Sequence, residues 1–149
     1  MDTLISIDEA IRQRSCKSPK DRPNTHNWIY IQTDPVTAPR QSQSSRWKPT
    51  PHIQRYRCYR DELRIRCNAA KFTLSDQIEM IFYLPMPKSW SKRRKLQMDN
   101  QPAKSNSKDI DNLAKAVMDA LLPQDRHVWR IVASKFWAYS GGVHIKNFE

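Results

Sequence analysis

Apolar residues recur along this chain at two different spacings. Between residues 52 and 70, Ile53, Tyr56, Tyr59, Leu63 and Cys67 fall at three- and four-residue steps, which predicts a helix with one buried stripe. Arg55, Arg57, Arg60, Arg64 and Arg66 fill much of its remaining surface. Residues 77–84 alternate instead. Ile78, Met80, Phe82 and Leu84 share one side of a predicted strand that Pro85 and Pro87 end. The helical period returns over 110–122, with Ile110, Leu113, Val117 and Leu121 inward and Pro123 as the stop. Trp28 to Ile31 and the Val-, Ile- and aromatic-rich run 128–139 read as strands. Gly141-Gly142 predicts a tight turn that pairs residues 143–148 back onto the latter.

Two stretches, 33–51 with four prolines and the polar, basic 85–108, read as long loops. At the front, Leu4, Ile7 and Ile11 predict a short helix over 3–14, with Ser6 and Glu9 at capping-box spacing. A polar, Pro-containing linker follows over 15–27. The order β-α-β-loop-α-β-β predicts an α+β domain over 28–149, a small mixed sheet with packed helices, preceded by an extension, 1–27.

Charge narrows the possible partners. The 149 residues hold 26 Lys and Arg against 15 Asp and Glu, a net charge of +11. Residues 1–75 carry 14 of those cations and residues 76–149 carry 12, so the basicity is not confined to a tail. A polyanion is the natural partner, because phosphate contacts dominate nucleic-acid affinity. Cys16, Cys58 and Cys67 form no Cys-x-x-Cys pair, and their odd number points to reduced thiols in a cytosol. The four histidines lack zinc-ligand spacing. No apolar run is long enough to span a membrane, and the first residues lack the pattern of a signal peptide.

Within this basic chain, Asp109, Asp111, Asp119 and Asp125 fall close together. Asp109 precedes the apolar periodicity and is placed to cap the helix. Asp111, Lys115 and Asp119 lie four apart along its polar face. Two readings are open at this point. A cap followed by a solvated i,i+4 charge ladder is ordinary helix decoration. Carboxylates converging from a helix start and a nearby loop would instead hold a hard cation such as Mg²⁺, with Lys115 facing a scissile phosphate.

The run Ser107-Lys-Asp-Ile-Asp-Asn-Leu-Ala-Lys-Ala-Val-Met-Asp-Ala-Leu121 resembles the signature of RusA-type Holliday junction resolvases. That signature is Pro-Asp-hydrophobic-Asp-Asn-Leu, a lysine, then Asp-Ala-Leu. Asp125-Arg-His-Val128 and Lys135 resemble its later elements. Pro85-Met-Pro-Lys-Ser-Trp-Ser-Lys92 and Thr37-Ala-Pro-Arg40 resemble earlier ones, so the likeness covers roughly residues 28–149. It implies a homodimeric crossover junction endodeoxyribonuclease of bacterial or phage type that acts in recombination and repair. Such an enzyme makes paired nicks in four-way DNA with Mg²⁺, for which Mn²⁺ substitutes. Carried over, Asp109, Asp111 and Asp125 are metal ligands, and Lys115 is the catalytic lysine. Asn112 orients a carboxylate or meets phosphate, and Lys135 contacts DNA. Two positions depart from the pattern: Lys108 replaces a proline, and Gln124 replaces an aspartate found in many members.

Lys88, Lys92, Arg93, Arg94 and Lys95 crowd around Trp90. They are expected to meet backbone phosphates, with Trp90 either a wedge at the junction or an anchor on the core. Trp28, Trp129, Phe136, Trp137 and Tyr139 are expected to build the core or a dimer interface. The rival to a nuclease is a protein of the same fold that binds branched DNA without cutting it.

Overall fold

A computed structural model describes residues 27–39, 48–104 and 106–148. The expected helix over 3–14 and the side chains of Arg40, Arg46 and Trp47 lie outside them. The elements are β1 (Trp28–Ile31), α1 (Pro51–Ala69), β2 (Gln77–Pro85), α2 (Lys92–Met98), α3 (Ile110–Leu121), β3 (Arg130–Ala138) and β4 (Gly142–Asn147). The expected β-α-β-α-β-β order and the mixed sheet are present. One element was not expected: α2 lies within the stretch read as loop. It has seven residues and buries none of them, so no apolar period marks it. Its one local signal is Ser91, whose hydroxyl accepts from the Arg94 N–H as an N-cap.

Each helix begins and ends for a local reason. Thr50 caps α1 by accepting from the Ile53 N–H, and Pro51 stands at the first turn, where its missing N–H costs nothing. With two glycines in the chain, other residues take the left-handed positions. Lys71, at φ 54°, closes α1, and the Phe72 N–H then reaches the Cys67 carbonyl at 2.9 Å. Asn100, at φ 60°, turns the chain after α2.

The sheet order is β1-β4-β2-β3. β2 and β3 run parallel, joined by the crossover that carries α2 and α3, and β4 is antiparallel to both β1 and β2. The expected hairpin between β3 and β4 is therefore replaced by a step across β2. The glycines serve that step rather than a tight turn. A Cβ on Gly141 would lie 2.7 Å from the Asp34 Cα, and one on Gly142 would lie 2.6 Å from the Tyr30 ring. The chain entering β4 thus passes hard against the end of β1.

The core lies between the sheet and α1 with α3. Ile78, Met80, Phe82 and Leu84 alternate inward as expected. They meet Ile29, Val143 and Ile145 of the sheet, Tyr59 and Leu63 of α1, and Leu113 and Val117 of α3. Among the described residues Asn147 is the one buried polar residue, and it is satisfied: it accepts from the Ser75 N–H and donates to the Thr73 carbonyl. The other sheet face carries an aromatic row, with Trp28 against His144, and Tyr83 between Tyr30 and Phe136. Of the aromatics expected in a core or interface, Trp137 is buried, while Trp129 and Tyr139 are 67% and 57% exposed.

Candidate active site

The helix α3 exists because Leu113, Ala114, Ala116, Val117 and Ala120 bury one face against the sheet and α1. The same period turns Asp111, Lys115 and Asp119 outward, and all three are exposed. Arg64 secures the far end by donating to the Ala120 carbonyl at 2.7 Å. This packing presents the acidic face to solvent beside the basic surface of α1.

The helix-decoration reading does not describe these side chains. Asp109 occupies the N-cap position, yet its carboxylate makes no capping bond. Among the described residues the one ion pair is Arg60–Asp61 at 3.2 Å, so neither Asp111 nor Asp119 bridges Lys115. Among the described residues, the exposed carboxylates of Asp109 and Asp111 take no hydrogen bond or ion pair from a side-chain donor, and Lys115, one turn beyond Asp111, makes no ion pair. That donor set suits Mg²⁺, which takes one or two carboxylates and fills its octahedron with water and phosphate oxygens.

Asp125 stands elsewhere. It follows the C-terminal end of α3, whereas Asp109 and Asp111 sit at its start, and a 12-residue helix is about 18 Å long. Neighbouring bonds agree. The 128–129 segment is tied to Asp76, before β2, through Trp129. The residue before Asp109 is tied instead to Lys135, five residues into β3. Among the described residues no three His, Cys, Asp or Glu side chains come together to hold a metal ion.

The start of α3 is held by groups that sequence reasoning valued differently. Lys135, expected at DNA, is half-buried and donates to the Lys108 carbonyl at 2.7 Å and to Asn106 Oδ1 at 3.4 Å. Lys108 donates its ammonium to the Pro35 carbonyl. Burial lowers its pKa and nearby Arg55 adds to that, while Asp34 opposes it. Asn106 accepts from the Lys108 N–H at 2.8 Å in a local Asx turn, a signal readable in Asn106-Ser-Lys108. Asn112 accepts through its backbone carbonyl from the Ala38 N–H.

Around α2, Lys88, Lys92, Arg93 and Arg94 are exposed and Lys95 is half-buried. Trp90 packs as an anchor. Its ring meets Trp137 edge-on at 5.0 Å, and the Arg94 guanidinium lies 4.1 Å over it.

No curated protein matches this chain. The family model described as Endodeoxyribonuclease RusA matches residues 32–146. That span contains every element from α1 to β3 together with both acidic positions of α3, and the chain belongs to the RusA endodeoxyribonuclease family.

Proposed function

We propose that this protein resolves four-way DNA junctions by Mg²⁺-assisted hydrolysis of phosphodiester bonds, with Asp109 and Asp111 as the cation ligands. The observation that carries the reading is the uncommitted carboxylate pair at the start of α3, with Lys115 on the same face. A bound Mg²⁺ would supply an activated water and charge stabilisation at the phosphate. Lys115 adds a fixed positive charge one turn along, where a phosphate reaching the carboxylates would develop negative charge. The cations of α1 and α2 hold the DNA arms by their phosphates.

Asp125 enters this reading through a second copy. β3 is an edge strand, and residues 100–103 cover the outer side of its far half through Ala103–Lys135 and Gln101–Trp137 bonds. Its near half carries Ile131 and Val132, both exposed, with exposed Trp129 just before it. An open, apolar edge of this kind favours pairing with another strand. Antiparallel pairing of two such halves sets the start of one β3 beside Lys135 of the other. Asp125 of the partner subunit then approaches Asp109 and Asp111. Two symmetric sites result, which suits paired nicks.

The test is Asp111→Asn. Cleavage of a labelled four-way junction should be abolished, while junction binding is kept or tightened because a repulsive charge near phosphate is lost. Wild-type cleavage by the variant would remove the site assignment.

A further inference from the structure

The two lysines beside Asp109 are placed unusually for a DNA-binding surface. Both are half-buried, and both spend their ammonium groups on protein oxygens rather than on solvent. Lys135 reaches out of β3 to the Lys108 carbonyl, the peptide oxygen immediately before Asp109. Lys108 reaches the other way, to the Pro35 carbonyl in the segment after β1. Asn106 joins them, accepting from the Lys108 N–H and from Lys135 Nζ, and donating to the Ala103 carbonyl at 2.7 Å. The Ala38 N–H closes the ring by donating to Asn112 O. The residues flanking Asp109 and Asp111 are therefore fixed from β3 on one side and from the 35–38 segment on the other. Asp109 joins only through its backbone, its carbonyl accepting from the Leu113 N–H at 3.0 Å, and its carboxylate makes no capping bond.

We propose that Lys108 and Lys135 are positioning residues that hold the first turn of α3 so that Asp109 and Asp111 converge on one cation. This rests on the assignment of those two aspartates as cation ligands. A group that orients a metal ligand without touching the metal commonly governs affinity by about tenfold or more. Replacing the proline expected at position 108 with lysine thus exchanges a rigid residue for a tether. The two amines also add positive charge near the carboxylates, and that gives the test opposite signs. If they acted by charge alone, removing either would tighten cation binding. If they position the ligands, removing either weakens it.

The experiment is calorimetric titration of Mn²⁺ into the DNA-free protein, comparing wild type with Lys108→Met and Lys135→Met. Each variant should bind Mn²⁺ about tenfold more weakly. Amide exchange in residues 110–114 should also quicken, while that of β2 stays unchanged. Lys135→Arg, which keeps a donor, should recover part of the affinity. Asn106→Ala probes the same clamp without altering charge and should weaken binding in the same direction. Unchanged or tighter Mn²⁺ binding in these variants would overturn the proposal, even if their melting temperatures fell. Asp111→Asn separates the two levels. If it abolishes Mn²⁺ binding while the lysine variants do not weaken it, positioning fails and the ligand assignment stands. If Asp111→Asn itself binds as wild type, the ligand assignment has failed.

Discussion

Trp90 shows how a residue's surroundings decide its role. Trp137 packs against its ring edge-on and Arg94 covers one face, which fits an anchor on the core. Trp90→Ala should lower stability by up to about 3 kcal/mol, near the low end for a buried Trp because this ring is only half-buried. A thermal melt checks this. An unchanged melting temperature with lost discrimination between junction and duplex would restore the wedge role. The cysteines give a second residue-scale prediction. Burial pushes the Cys67 thiol up to about 11, while Cys58 is exposed. At pH 8 only roughly one Cys67 in a thousand is thiolate, and thiolate is the reactive form. Iodoacetamide followed by mass spectrometry should label Cys58 readily and Cys67 only on unfolding. Rapid labelling of both would contradict the packing of α1.

At the scale of elements, what could be read in the sequence is what local periodicity carries. The stripe Tyr56–Tyr59–Leu63–Cys67 and the alternation Ile78–Met80–Phe82–Leu84 each describe one element's buried side, and both are buried as read. By contrast, α2 buries nothing and so leaves no such trace. The place of β4 between β1 and β2 depends on contacts between Gly141, Gly142 and residues more than a hundred positions away, which no local pattern encodes. In the site, the outward face of α3 was legible from its spacing. The separation of Asp125 was not, because a sequence separation of 14 from Asp111 gives no direction, and the intervening helix carries the chain away. The Lys108–Lys135 clamp was hidden for the same reason, since it joins three distant segments. The prediction at this scale concerns α2. Lys92 and Arg93 are exposed, whereas Arg94 packs on Trp90. Lys92→Ala with Arg93→Ala should weaken junction binding and reduce its log–log salt slope by about 0.9 per lost phosphate contact. An unaltered slope would make these residues a merely solvated surface.

Considered whole, the molecule distributes its net charge of +11 over both halves of the chain, while Asp109, Asp111, Asp119 and Asp125 fall within 17 residues at α3 and just beyond it. In the proposed reading, the basic body would bring DNA to the carboxylates at the start of α3. Under the proposed arrangement the two ends of α3 would share a site only across two copies paired along β3, so mixing two inactive variants tests that geometry. Asp111→Asn subunits combined with Asp125→Asn subunits should form dimers with one site free of either change and regain single-strand nicking. Sites formed within one subunit predict no recovery.

Junction resolution itself is tested with the wild-type protein and a labelled four-way junction, incubated with and without Mg²⁺. Two symmetrically placed nicks in opposing strands are expected, present only with the metal. Tight junction binding that yields no product under any divalent cation would contradict it, and would leave a protein of this nuclease family that holds branched DNA without cutting it.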